Sequence, residues 1–190
     1  DQALLLSEQG RKDESQKLFE KVQELMLMMD GLMYTLPQQR LETWIDDARK
    51  WGTTQAEKDY YEADAKRQLT MWGNKSTPVL YEYASKVWSG LIRDYYLNRW
   101  MKFADALNKG TQPAFDNWEE DWINTPGLRS KAPATGDMLT YAKLLYNTAG
   151  EYAVQMLSQV SIEPRYKGNN QVEINFRSNE ASPSQSFKAI

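Results

Sequence analysis

Carboxylates are the side chains best suited to chemistry in this chain: Asp46-Asp47, Asp59, Glu62, Asp64 and Glu119-Glu120-Asp121. Two of them set roughly 5–9.5 Å apart can cleave a glycosidic bond, one protonating the leaving oxygen while the other attacks or activates water. Placed on helices, however, these acids fall on polar faces, where solvated charge is the ordinary explanation. The chain has no histidine and no cysteine. That removes Ser-His and Cys-His catalysis, the common zinc ligand sets and any disulfide framework, and no metal or cofactor is expected. GNKST at 73–77 fails as a phosphate loop: Lys75 does not directly follow a glycine, the earlier glycine is missing and no strand precedes it. It reads as a polar turn, with Asn74-Lys75-Ser76 formally an N-glycosylation acceptor.

Aromatic residues are the more informative class, with seven Trp, eleven Tyr and five Phe in 190 residues. Trp72, Tyr83, Trp88, Tyr95, Tyr96, Trp100, Trp118 and Trp122 cannot all lie on the surface, and most are expected in the core. Trp72 differs, because it falls at a helix end against Gly73. Tyr83 falls in the first turn after the break, where it can face the same space. Aromatic faces suit the apolar faces of sugars, and a tyrosine hydroxyl can reach a ligand hydroxyl. On the residues alone, core packing and a pocket wall both remain open for this pair. The methionine run LMLMMDGLM, at helical spacing, reads as a core face rather than an adaptable groove.

The elements that must position these residues are nearly all helical. From Asp13, the residues Leu18, Val22, Leu25, Met26, Met29 and Met33 recur at three- and four-residue spacing, and LPQQ ends that helix. RLETWIDDARKW forms a short helix stopped by Gly52. Thr54 followed by Glu57 is a capping-box pattern that opens a third helix running to about Met71. A long, central fourth helix is expected from Pro78 to Lys109-Gly110, then a short one with Pro113 at its start. TPGLRSKAPATG is a loop. A last helix from Asp137 to about Gln159 should face Leu139, Ala142, Leu145, Tyr146, Ala149, Ala153, Met156 and Leu157 inward. In the tail, Val172, Ile174 and Phe176 alternate with polar residues as in a short strand. The expected fold is all-α, a bundle of about six helices over 1–160, with a short β-like or disordered tail over 161–190.

Net charge is −3 with no long basic run, which argues against a nucleic-acid partner. No stretch approaches the roughly 20 apolar residues that span a bilayer, so no membrane role is expected. The amino terminus does not read as a signal peptide, and the chain reads as a mature product or a piece of something longer.

Three blocks carry a resemblance. WIDDAR, AEKDYYEADAKRQLTMWG and YEYASKVWSGLIRDYYLNRWMKFADAL resemble the carboxy-terminal helical domain of the α-N-acetylglucosaminidases, glycoside hydrolase family 89. A family pattern close to R-x-Q-L-T-x-W-G stands here as Arg67, Gln68, Leu69, Thr70, Trp72 and Gly73. The helix pattern that follows it stands as Glu82, Tyr83, Ala84, Lys86, Gly90, Leu91, Tyr95, Tyr96, Arg99 and Trp100. The turn between them is longer than the family pattern. The similarity covers about Phe19 to Leu107 well and the helices to Gln159 more loosely.

The resemblance implies a retaining enzyme that releases terminal α-linked N-acetylglucosamine. Its two catalytic glutamates would lie on a (β/α)8 barrel of the same polypeptide, outside this chain, so no catalytic residue is assigned here and the chain alone should be inactive. It further implies that Trp72 and Tyr83, with Leu80, line the substrate pocket. It implies export in a bacterium or a lysosomal location in a eukaryote. The rival reading is a non-catalytic helical interaction or scaffold module, or a free-standing sugar-binding module.

Overall fold

The computed structural model describes residues 2–72, 84, 86–115, 117–127, 137–157, 160–168 and 171–178. Leu80, Tyr83, Pro78 and all of GNKST lie outside the described residues. The chain divides into two compact units, Asp1–Leu144 and Leu145–Ile190.

The regular elements described in the first unit are helices. Helix α1 (Gln2–Glu8), which the sequence pattern did not announce, is tied to α2 (Lys12–Tyr34) by the Ser15 hydroxyl donating to the Ala3 carbonyl at 2.7 Å. A single 3-10 turn at Pro37–Gln39 leads into α3 (Leu41–Arg49) and then α4 (Gln55–Leu69). The expected capping box is present at α4: the Glu57 N–H donates to Thr54 Oγ1 at 3.2 Å and the Thr54 N–H to Glu57 Oε2 at 3.0 Å. The Thr53 hydroxyl also donates to that oxygen, and these bonds lower the Glu57 pKa to about 2. A depressed carboxylate stabilises the fold above its ordinary value of 4.5 and stops doing so as pH falls through 2. Glu57→Gln should therefore be less stable than wild type in urea titrations at neutral pH, with the difference closing as acid approaches pH 2.

The core gathers Leu41 and Ile45 of α3, Leu69 and Met71 at the end of α4, Leu91 and Tyr95 beyond the break, and Trp122 and Ile123 of α6 (Trp118–Asn124). Tyr95 is its centre, with ring centroids of Trp122 at 4.9 Å, Trp118 at 5.1 Å and Tyr96 at 5.3 Å. Such tilted and edge contacts bring about 0.5–1.5 kcal/mol per pair beyond area burial. Most of the aromatics expected in the core are there or packed against it, while Trp100 and Trp72 are about half exposed.

The expected long fourth helix is corrected. Residues 86–88 are not helical, and Ser89 pairs with Arg40 in a parallel bridge: the Ser89 N–H donates to Gln39 O and the Leu41 N–H to Ser89 O, both at 2.9 Å. Gly90 then turns at φ +86, and a Cβ there would lie 3.0 Å from Leu41 Cβ. Only glycine takes this backbone readily so close to a neighbour. Helical structure restarts as a π-turned segment, Leu91–Leu97, and continues as α5 (Asn98–Lys109). Phe103 of α5 meets Phe19 of α2 edge-on at 6.3 Å. The short aromatic helix likewise starts at Trp118, beyond Pro113, with Glu119, Glu120 and Asp121 favourably placed in its first turn.

Helix α7 (Met138–Leu157) begins, as expected, at Asp137, whose carboxylate accepts from the Thr140 N–H at 2.8 Å. Its expected inward face holds only in part: Ala142 and Leu145 are half-buried, whereas Leu139 is 62% exposed and Tyr146, Ala149 and Ala153 are exposed too. Tyr141 sets the contact instead, its ring lying against Gly31 of α2 so closely that a Cβ on Gly31 would fall 2.5 Å from Tyr141 Cε1. In the second unit, β1 (Val160–Gly168) pairs antiparallel with β2 (Gln171–Ser178), with Val172, Ile174 and Phe176 opposite Tyr166, Pro164 and Ile162. The alternation in the tail is thus one arm of a hairpin, and the preceding arm carried no comparable pattern.

Candidate functional site

The end of α4 carries Trp72, the described member of the aromatic pair. Leu69, Thr70 and Met71 are all buried, and Trp72 is 47% exposed. The reversal happens over two residues. Thr70 leaves the helical region at φ −119, ψ −88, and its N–H donates to the Arg67 carbonyl at 3.2 Å. Trp72 adopts the left-handed conformation at φ 59, and its own N–H donates to the same carbonyl at 2.8 Å. No other non-glycine described residue has positive φ. A side chain in that region costs roughly 1–2 kcal/mol, and in the sequence the glycine, Gly73, comes one position later. Helix ends normally put glycine or asparagine at the left-handed position. Here an exposed tryptophan holds it. Strained backbone of this kind clusters at ligand-binding positions.

Two buried acids flank the break. Glu62, which its spacing put on the polar face of α4, is corrected: it is 1% exposed. Its Oε1 meets Lys66 Nζ at 2.8 Å and accepts from the Gly127 N–H at 2.9 Å, while Oε2 meets Arg49 Nη1 at 2.6 Å. Lys66 is 0% exposed, donates to the Thr125 carbonyl at 2.7 Å, and lies 5.2 Å over the Trp122 ring. Burial pushes the Glu62 pKa up, but Lys66, the Gly127 N–H and Arg49 together bring it below the ordinary value. A carboxylate so fully bonded, and held ionised, is built to join α3, α4 and the turn after α6. At 1% exposure it is closed off from solvent.

The second acid is Asp30 of α2, 1% exposed. Its Oδ1 accepts from the Gly90 N–H at 2.7 Å, and Oδ2 accepts from the Ser89 hydroxyl at 3.3 Å and meets Arg93 Nη2 at 3.0 Å. Burial raises its pKa despite those three partners. Between the ordinary value of 3.8 and the raised one, the folded chain holds a proton the unfolded chain has lost. Asp30 therefore favours the fold on the acid side of that window, opposite in sign to Glu62. Sequence reasoning named Glu62 but put it in solvent, and it passed over Asp30. An acid inside MLMMDGLM was a usable signal for Asp30, whereas the i, i+4 spacing of Glu62 and Lys66 also describes any solvated helix pair.

An open cleft of about 530 Å³ is lined by Glu24, Leu27, Met28, Arg93 and Tyr141. Leu27 and Met28 of the methionine run thus border an open cleft, and Met26, Met28, Met29 and Met33 are half-buried rather than forming the expected core face. Among the described residues no group of acids is arranged to hold a metal ion, and no helix is long and apolar enough to cross a membrane. Trp72 is thus placed by the structure, and Leu80 and Tyr83 lie outside the described residues.

Comparison with known proteins matches the sequence motifs. A family model described as "Alpha-N-acetylglucosaminidase (NAGLU) C-terminal domain" matches residues 4–148. The human protein named alpha-N-acetylglucosaminidase is 34% identical over 84 residues, which is 44% of this chain and 11% of that relative. The chain therefore aligns with only a small part of the relative's length. With the matched region covering most of its helical unit, the chain belongs to the alpha-N-acetylglucosaminidase C-terminal domain family.

Proposed function

We propose that this chain is the helical domain of an α-N-acetylglucosaminidase-like glycoside hydrolase, and that it supplies one wall of the pocket for terminal α-linked N-acetylglucosamine. Trp72 is the principal wall residue, with Tyr83 and Leu80 following in the same motif. The single observation that carries this reading is Trp72 itself. It is a half-exposed indole held in a left-handed conformation, at the end of a helix whose preceding three residues are buried. A core tryptophan would not need the strain, and an incidental surface residue would relax out of it.

The reaction would be completed elsewhere in the same polypeptide. Two glutamates on a (β/α)8 barrel would perform retaining hydrolysis, and the helical domain would orient the sugar without touching the reacting bond. The acids of this chain agree with that division. Glu62 and Asp30 are consumed by internal bonds, and neither is positioned to transfer a proton to a ligand. Under this reading the protein works outside the cytoplasm, exported in a bacterium or lysosomal in a eukaryote, on a glycan ending in N-acetylglucosamine.

The test compares the 190 residues with the full polypeptide on an aryl α-N-acetylglucosaminide. Hydrolysis is expected from the full polypeptide alone. Turnover by the 190 residues would overturn the assignment of the glutamates to another domain. A full polypeptide that lacks a barrel and leaves the sugar intact would favour a scaffold module.

A further inference from the structure

The left-handed tryptophan needs something that forces α4 to stop where it does, and the buried residue two positions before it has the necessary geometry. In a continuing helix the Thr70 N–H would donate to the Lys66 carbonyl. Instead it turns to Arg67 O at 3.2 Å, and the Thr70 hydroxyl donates to Lys66 O at 2.9 Å. The side chain thus takes over a carbonyl that the helix end would otherwise orphan. Both Thr70 and Lys66 are almost completely buried, so water cannot make that substitution. Lys66 is itself immobilised by Glu62 and Thr125, which makes its carbonyl a fixed acceptor. With Arg67 O then accepting from Trp72 as well, the chain has one way to leave the helix, and the indole is thrown outward.

We propose that Thr70 is a positioning residue for the sugar site: its buried hydroxyl, bonded to the Lys66 carbonyl, sets the backbone turn that presents Trp72. The proposal rests on the reading that Trp72 faces the sugar. It predicts that the hydroxyl, rather than the methyl, of Thr70 matters for substrate binding. Valine keeps the shape and removes the donor; serine keeps the donor and removes the methyl.

The experiment measures KM and kcat of the full polypeptide on an aryl α-N-acetylglucosaminide for Thr70→Val, Thr70→Ser, Trp72→Ala and Phe19→Leu. Phe19 packs far along the chain against Phe103 and serves as a control for lost thermal stability. A displaced wall residue should raise KM roughly tenfold in Thr70→Val, with Thr70→Ser near wild type and the Phe19 control unchanged in KM. Thr70→Ala removes the same hydroxyl without the second methyl, and must give the same rise if the valine variant does not fold.

An unchanged KM in Thr70→Val or Thr70→Ala beside a raised one in Trp72→Ala would overturn the role of Thr70 and leave the pocket reading standing. Equal losses in the serine and valine variants would also overturn it, because the methyl would then be what counts. An unchanged Trp72→Ala would overturn the pocket reading, and the Thr70 proposal with it.

Discussion

Glu62→Ala is expected to destabilise the protein by about 3–5 kcal/mol, because it leaves Lys66 as an uncompensated charge in the core. Lys66 is 0% exposed and Glu62 1%, so neither end of the pair can reach water without local unfolding. The loss is a large share of the roughly 5–15 kcal/mol that holds a domain together. A urea titration of the full polypeptide, followed by tryptophan fluorescence, reads it directly. The double variant Glu62→Leu/Lys66→Met should recover most of the loss, since a buried ion pair is often no better than apolar residues of the same volume. Arg49 would keep its other partner, Asp59 at 2.8 Å, in a partly solvated position. A single-variant cost below about 1 kcal/mol would match a hydrated surface pair instead. Because the pKa of Glu62 is depressed, the cost of Glu62→Gln should shrink as pH falls below 4.5.

Trp72→Ala is expected to lower kcat/KM of the full polypeptide by roughly thirtyfold, the equivalent of about 2 kcal/mol for an aromatic anchor residue. The fold should survive, because the side chain is already half exposed. Trp72→Gly separates function from strain. Alanine at φ 59 keeps the left-handed penalty of roughly 1–2 kcal/mol, whereas glycine adopts that conformation freely and loses only about 0.5–1 kcal/mol in chain entropy. The glycine variant should therefore be as impaired in turnover as the alanine variant, but melt at an equal or higher temperature. Wild-type turnover in both would remove Trp72 from the sugar site. An alanine variant clearly more stable than the glycine variant would mean that position 72 is not left-handed in solution.

These two residues illustrate what local pattern can and cannot convey. Glu62 was readable only as an acid on a helix. Its burial is imposed by Gly127, Arg49 and Lys66, of which Lys66 alone is a helical neighbour. Trp72 was readable as a tryptophan at a helix end. Whether it turns in or out depends on Thr70 and Met71 finding space in the core. The motif connecting it to Tyr83 and Leu80 was legible through resemblance alone, and those two residues lie outside the described part of the chain.

The sequence by itself determined the helical class, the break between α3 and α4, the capping box at Thr54 and Glu57, and the alternating strand at Val172 to Phe176. It also carried the family membership. Each of these depends on residues a few positions apart or on motif order, and here no distant contact competes with the local pattern. Only the tertiary structure decided where the fourth helix begins and which acids are buried. It also decided which face of α7 meets α2 and which hand Trp72 takes. At Ser89 and Gly90 the helical pattern lost to Asp30, sixty positions earlier for Gly90, and to the backbone of Gln39 and Leu41 on either side of the extended Arg40. Backbone hydrogen bonds made across the fold outweighed helix propensity there, and propensity yields whenever distant partners satisfy the same donors and acceptors better.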